Sequence, residues 1–247
     1  GCPIRMILRL GGGDLNALFG IAGFAGGIGF GTIFLKKGYS LQRTYALSKL
    51  ESAMMPAIQV GLLVLVVAAP AFIFFSQKGP GAMHAPWLIS LAAGLVVGGL
   101  SQVSRLCTVG GFRDLFLFKK SVLIFGYLAV LVGVFVVNIS FGNFHLGFEN
   151  QPIAHTDGLW NFLGMALAGF CSVLLGGCPL RQLIMTGEGN SDSAVTVLGL
   201  AAGAAFAHNF GLAASGAGPT LNGEIAVGVG FVVALIIAIL NTKRANA

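Results

Sequence analysis

Residues 176–189 read GGCPLRQLIMTGEG, a polar phrase between two strongly apolar stretches. Residues 1–13, GCPIRMILRLGGG, repeat its pattern, Gly-Cys-Pro-x-Arg and the closing glycines. In the second copy a glycine pair ends one helix, because glycine accepts the backbone angles of a break. Pro179 then suits the first turn of a new helix, where its missing N–H is harmless; Pro3 stands in the same place in the first copy. PLRQLIMT gives about eight residues, roughly 12 Å of helix, too short to cross a ~30 Å hydrocarbon core. Gly187 and Gly189 stop it, and Asn190, Ser191 and Asp192 stand ready to cap the next helix. In the first copy Gly11, Gly13 and Asp14 take those roles. The phrase predicts a half-helix at membrane depth with a cysteine at its N-terminus.

The rest of the chain supports a lipid setting. Of 247 residues, 56% are hydrophobic and 9% charged, with a mean hydropathy of +0.90. A soluble domain carries about 25% charged residues. Seven apolar stretches, near 14–35, 54–76, 86–106, 120–140, 158–176, 192–212 and 224–241, have the length of bilayer spans. Between the first two, KKGYSLQRTYALSKLE (36–51) is basic and reads as an interfacial helix or a plain loop. The net charge of +6 does not point to nucleic acid, because the basic residues cluster at span ends. Lys36, Lys37, Arg43 and Lys49 mark an inside loop. The 77–86 loop, with only Lys78, falls outside. Arg105, Arg113, Lys119 and Lys120 fall inside, the 141–157 loop outside, and Lys243 with Arg244 place the C-terminus in the cytoplasm.

Residues 1–31 align with 177–207 without a gap. Gly1, Cys2, Pro3, Arg5, Gly11, Gly13, Gly23, Gly27 and Phe30 recur as Gly177, Cys178, Pro179, Arg181, Gly187, Gly189, Gly199, Gly203 and Phe206. Identity is about a third, which marks an internal repeat. The charge count points the two copies in opposite directions, the pattern of an inverted-topology repeat with substrate at the interface of its halves. The expected organisation is one integral membrane domain, with 1–76 belonging to the first repeat and 77–247 forming the second. Because the chain opens inside the motif, a preceding segment is expected.

The motif also has chemical content. A helix N-terminus presents unpaired N–H groups and about half a positive charge, a ready anion site. Arg5 and Arg181 read either as charges that attract an anion or as residues snorkelling to an interface. Cys2 and Cys178 add soft thiols suited to a sulfur-bearing ligand; Gly1, Pro3, Gly177 and Pro179 shape the two sites. SRLCTVGGFRDLFLFKK (104–120) varies the theme: Cys107 ends a span, Gly110 and Gly111 are expected to break the chain, and Arg113 serves the anion or pairs with Asp114. Cys171, mid-span, reads as packing. Gly23 with Gly27, Gly94 with Gly98 and Gly199 with Gly203 read as helix-packing pairs. His208 reads as interfacial. His145, Glu149, His155 and Asp157 share a loop whose spacing fits no metal motif, so a solvated loop is expected. No catalytic triad, P-loop or dinucleotide fingerprint stands out, and neither metal nor cofactor is expected.

At these residues the chain resembles the YeeE/YedE family, the sulfur-transport-domain membrane proteins that include bacterial thiosulfate transporters. The likeness rests on Gly177-Cys178-Pro179-Leu180-Arg181-Gln182-Leu183, its twin from Gly1 to Arg5, and Cys107 with Gly110-Gly111-Phe112-Arg113-Asp114. The wording GCPLRQLIMTGEGNSDSAVTVLG looks most like the YedE branch, to which selenium transport is attributed. The resemblance implies an all-α, hourglass-shaped polytopic protein with about seven transmembrane helices plus half-helices in this chain. It also implies an inner-membrane importer, not an enzyme, for a small sulfur or selenium anion such as thiosulfate. Cysteines along a central path would pass that anion on by weak S–H···S contacts, and Cys2, Cys107 and Cys178 match them by position. A cytoplasmic sulfur-carrier protein would be the receiver. The alternative is a membrane sulfurtransferase or redox enzyme that forms a cysteine persulfide, which needs an activated thiol and a resolving partner.

Overall fold

The computed structural model describes residues 2–41, 49–69, 72, 82, 85–151 and 155–244. Gly1, most of the 77–86 loop and much of the basic 36–51 segment lie outside the described residues. The described chain is helical throughout: α1 (Pro3–Gly11), α2 (Asn16–Lys36), α3 (Lys49–Ala68), α4 (Trp87–Val103), α5 (Thr108–Phe118), α6 (Val122–Ser140), α7 (Gly158–Leu175), α8 (Pro179–Gly187), α9 (Ser191–Asn209) and α10 (Leu221–Arg244). Each of the seven expected spans has a helix. Five helical runs among the described residues are long and apolar enough to cross a membrane: α2, α4 with α5, α6, α7 with α8, and α10. α9 is rich in glycine and alanine and is not among them, and α3 contributes a shorter apolar helix. Only 6% of the α6 span is buried within the protein, although its sequence is almost wholly apolar. Such a surface is stable against hydrocarbon, not water.

Two compact units divide the chain, residues 1–43, 106–179 and 200–247 in one and 44–105 with 180–199 in the other. The larger unit is built on α2 and α7. A Cβ on Gly23 would lie 2.1 Å from the Phe162 carbonyl oxygen, one on Gly27 would lie 1.9 Å from that of Ala166, and one on Gly169 would lie 2.3 Å from that of Phe24. The backbones therefore touch, as small residues permit where lipid supplies no hydrophobic drive between helices. Phe24, Ile28, Phe170 and Val173 fill the seam around them. α10 adds Ala234 and Ala238, which close over Phe170, Leu174 and Tyr39. The Tyr39 hydroxyl donates to the Leu174 carbonyl, near the C-terminus of α7, at 3.3 Å, and burial raises its pKa.

The predicted breaks occur for the predicted reasons, with one exception. Gly176 ends α7 in the left-handed region at φ 84°, and Gly177 N–H returns to the Ser172 carbonyl at 3.1 Å. Asn190 Oδ1 accepts from Ser193 N–H at 2.9 Å to cap α9, and Asp14 Oδ1 accepts from Asn16 N–H at 2.9 Å to open α2. The exception is Gly110 and Gly111. The chain turns before them, at Arg105 with φ 51°. Both glycines lie in the first turn of α5, where a Cβ on Gly110 would sit 3.0 Å from Leu123 Cδ1. They allow α5 and α6 to approach closely; they do not break the helix.

The 145–151 loop is zipped onto the turn after α1. His145 N–H donates to Gly12 O at 2.8 Å, Leu15 N–H to Gly147 O at 3.0 Å, and Asn16 Nδ2 to Phe148 O at 2.6 Å. Asn138 Nδ2 reaches the Gly11 carbonyl at 3.3 Å, satisfying one of the carbonyls that α1 leaves open at its end. Asn138→Ala is expected to lower stability by about 1 kcal/mol, the net worth of one such bond. Thermal unfolding in detergent measures it; an unchanged midpoint would mean that the carbonyl finds another donor.

Candidate functional site

Each of the three short helices begins immediately after a cysteine. Cys2 precedes Pro3 of α1 with extended angles, φ −99° and ψ 132°. Cys178 precedes Pro179 of α8, and a residue before proline is pushed toward extended backbone. Cys107 precedes α5 without proline, at φ −147° and ψ 114°, and its sulfur accepts the Gly110 N–H at 3.3 Å. Thiols therefore stand where free backbone N–H groups and the positive helix end converge.

The fold brings two of these cysteines together. The Cys107 thiol is close enough to interact with both the thiol and the backbone N–H of Cys178. Cys178 is 1% exposed. With the Gly110 N–H, the Cys107 sulfur has two backbone N–H groups beside it. Thr108, the first residue of α5, is 1% exposed and its hydroxyl has no hydrogen-bond partner among the described residues. A buried hydroxyl without a partner is costly and calls for a ligand or water.

Cys2 occupies a separate place in the same unit. Its electrostatic neighbour is Tyr127 of α6, whose hydroxyl donates to the Pro3 carbonyl at 3.4 Å. The Tyr127 ring meets Phe112 of α5 edge-on at 5.6 Å, and Phe112 meets Phe24 of α2 at 6.1 Å. Tyr127 and Phe112 thus link the helix that Cys2 opens to the helix that Cys107 opens.

The predicted arginines have different fates. Arg113 gives its Nε and Nη2 to Asp114 Oδ1 at 3.0 and 2.9 Å, the pairing the sequence allowed. Arg181 Nη1 donates to Gln102 Oε1 at 3.0 Å, and Gln102 Nε2 donates to the Glu188 carboxylate. Arg5 is exposed and makes no hydrogen bond or ion pair among the described residues. Pro3 and Gly177 are buried at their helix breaks. Cys171 packs beside Tyr39 and Phe170, as expected of a packing residue. His208 is exposed. Among the described residues, no three His, Cys, Asp or Glu side chains gather to hold a metal.

Sequence reasoning missed Thr108, Tyr127, Gln102 and Arg9. Gln102 could have been found, since an amide in an apolar span asks for a partner. So could Arg9, four residues after Arg5 and therefore on the same helical face. Tyr127 and Thr108 carried no such signal, because each is ordinary in its local sequence.

Fold and site together define a multi-pass helical membrane protein with thiols at the ends of half-helices. A family model described as Sulphur transport matches residues 103–243, more than half of the chain. The chain belongs to this sulphur transport family, the YeeE/YedE family. No curated protein and no solved structure matches it.

Proposed function

We propose that the chain imports a small sulfur- or selenium-containing anion, with thiosulfate the prototype, across the inner membrane. Cys2, Cys107 and Cys178 make brief contacts with the anion. Arg5 and Arg181 and the half-helix N-termini draw it in, and Gly1, Gly177, Pro3, Pro179 and Arg113 shape the path. The observation that carries this reading is the meeting of Cys107 and Cys178, each at the start of a half-helix, beside the unpartnered Thr108 hydroxyl. Thiols bind a sulfur anion weakly, and weak binding suits conduction, since an ion held tightly does not leave. The proposed halves remain 1–76 and 77–247, in inverted orientation, with the C-terminus in the cytoplasm and a sulfur-carrier protein as receiver. The choice between sulfur and the YedE-type selenium substrate is chemical: the oxyanions share charge and differ little in size.

The enzyme alternative gains one observation. The sequence offered no resolving cysteine, yet the Cys107 and Cys178 thiols are neighbours in space. In that reading a thiolate attacks the outer sulfur of thiosulfate; the sulfur–sulfur bond of the substrate breaks, sulfite leaves with the electron pair, and a persulfide remains. Uptake of labelled thiosulfate and of selenite by cells without other sulfate and thiosulfate importers tests the transport reading. Saturable uptake of either supports it and names the anion. Absence of both in cells that insert the protein, with a persulfide found on Cys107 or Cys178 by mass spectrometry, replaces it with the enzyme.

A further inference from the structure

α1 carries Arg5, Met6 and Arg9 on one wall of a cavity of about 410 Å³. His155, Trp160 and Asn161, at the start of α7, form a second wall, and residues 212–227 around the N-terminus of α10 close a third. All these elements belong to the larger unit. The cavity is separate from the meeting place of Cys107 and Cys178, neither of which lines it.

Its polar groups are incompletely used. Arg9 binds Asp14 Oδ2 through Nε at 2.6 Å, and its Nη1 touches Met6 Sδ at 3.8 Å. Its Nη2 is buried without a partner among the described residues. Asp14 cannot supply one: its other oxygen already takes the N–H and the Nδ2 of Asn16, at 2.9 and 3.0 Å. His155 Nδ1 is likewise buried without a partner among the described residues, while His145 and Glu149 of the same loop are exposed. Arg5 has no partner among the described residues. Two arginines and an imidazole line one cavity; among the described residues the arginines' free N–H groups lack an acceptor, and the imidazole Nδ1 lacks a partner. An unmet donor on a buried cation is more costly than one on a neutral group.

We infer that this cavity is a second anion site, which holds a small oxyanion on Arg5, Arg9 and His155 before it reaches the thiols. The oxyanion preference follows from the donors; its identity as the sulfur or selenium anion rests on the transport reading. The volume leaves room for part of the ion's water shell, at about 30 Å³ per water. Met6 of α1 and Met165 of α7 both line the cavity with polarizable side chains, a soft surface for the terminal sulfur of thiosulfate. Residues 2, 5 and 9 follow spacings of three and four, so the cavity face of α1 leads back toward Cys2. From Arg9 to Cys2 the rise is roughly 10 Å. Glu224 of α10 lines the cavity too and opposes an anion.

The chain has two tryptophans, and Trp160 lines the cavity. In the purified full chain carrying Trp87→Phe, Trp160 emission reports occupancy. Sodium thiosulfate, titrated at constant ionic strength against chloride, is expected to give a saturable change. Arg9→Gln should weaken it roughly 10-fold or more, the scale of a charged hydrogen bond. Arg5→Gln should weaken it less, and Glu224→Gln should tighten it.

Acidification should tighten binding. Burial holds the His155 pKa below its usual value, against the pull of Asp157 and with the help of Arg9. Arg5 on α1 and Glu224 on α10 complete the charges around the cavity. The protonated ring binds the anion better, so affinity rises as pH falls through the bound-state pKa and levels off below the free-state one. Should Arg9→Gln fail to fold for want of its Asp14 bond, the exposed Arg5→Gln keeps the test. A flat titration in folded wild type, or Arg5→Gln and Arg9→Gln that titrate like wild type, overturns the second site. Uptake that depends on Cys178 beside a flat titration removes only this site; a saturable titration without uptake removes only the transport reading.

Discussion

Cys178→Ala is expected to lower thiosulfate uptake roughly 10- to 100-fold, the loss of one or two hydrogen-bond equivalents. Cys178 is 1% exposed, and its thiol and backbone N–H both reach Cys107. Alanine keeps the N–H and removes the sulfur. The half-helix remains, because Pro179 and the glycine break do not depend on the side chain. What goes is the soft contact that takes the ion from its neighbour. Cys178→Ser should fall between, since a hydroxyl keeps a donor but is harder and smaller. Cys171→Ala is the control: that thiol packs beside Tyr39 and Phe170, and its loss should leave uptake near wild type. Equal loss in the Cys171 and Cys178 variants would mean that the thiols act through packing. Unchanged uptake in Cys178→Ala would remove the cysteine from the path.

Gly27→Val should destabilise the protein by at least about 3 kcal/mol, the upper end of overpacking effects. The first added carbon would stand 1.9 Å from the Ala166 carbonyl oxygen and 2.9 Å from the Phe170 nitrogen. Both are backbone atoms of α7, so no side chain can swing aside and the two helices must separate. Gly203 is the repeat mate of Gly27, yet a Cβ there meets nothing within 4 Å among the described residues. Gly203→Val should therefore be close to neutral. Thermal unfolding in detergent compares the two. A similar drop at both positions would show that the glycine pattern itself, and not the α2–α7 seam, sets stability.

These two residues illustrate how far the sequence reaches. It placed Gly23, Gly27, Gly94, Gly98, Gly199 and Gly203 in one class of packing pairs, because spacing reports only which face of a helix is small. Of these, only Gly23 and Gly27 meet a neighbouring backbone within 4 Å among the described residues. Periodicity cannot name the neighbour. Gly110 and Gly111 teach the same lesson: a glycine pair looks like a break, but here it is a contact, and the turn falls at Arg105.

The sequence by itself determined what local chemistry and the solvent dictate. Composition called for lipid, apolar run lengths gave the helices, and glycine followed by Cys-Pro gave half-helices with thiols at their starts. Those features depend on a few adjacent residues, so they can be read without knowing what lies beside them. Only the tertiary structure decided which thiols meet. Cys107 interacts with Cys178, 71 positions further along the chain, while Cys2 stands with Tyr127 instead. It also turned His155 from a loop residue into a cavity wall opposite Arg9. Contacts of that kind arise from helices crossing at backbone distance, and a one-dimensional pattern holds no record of the crossing.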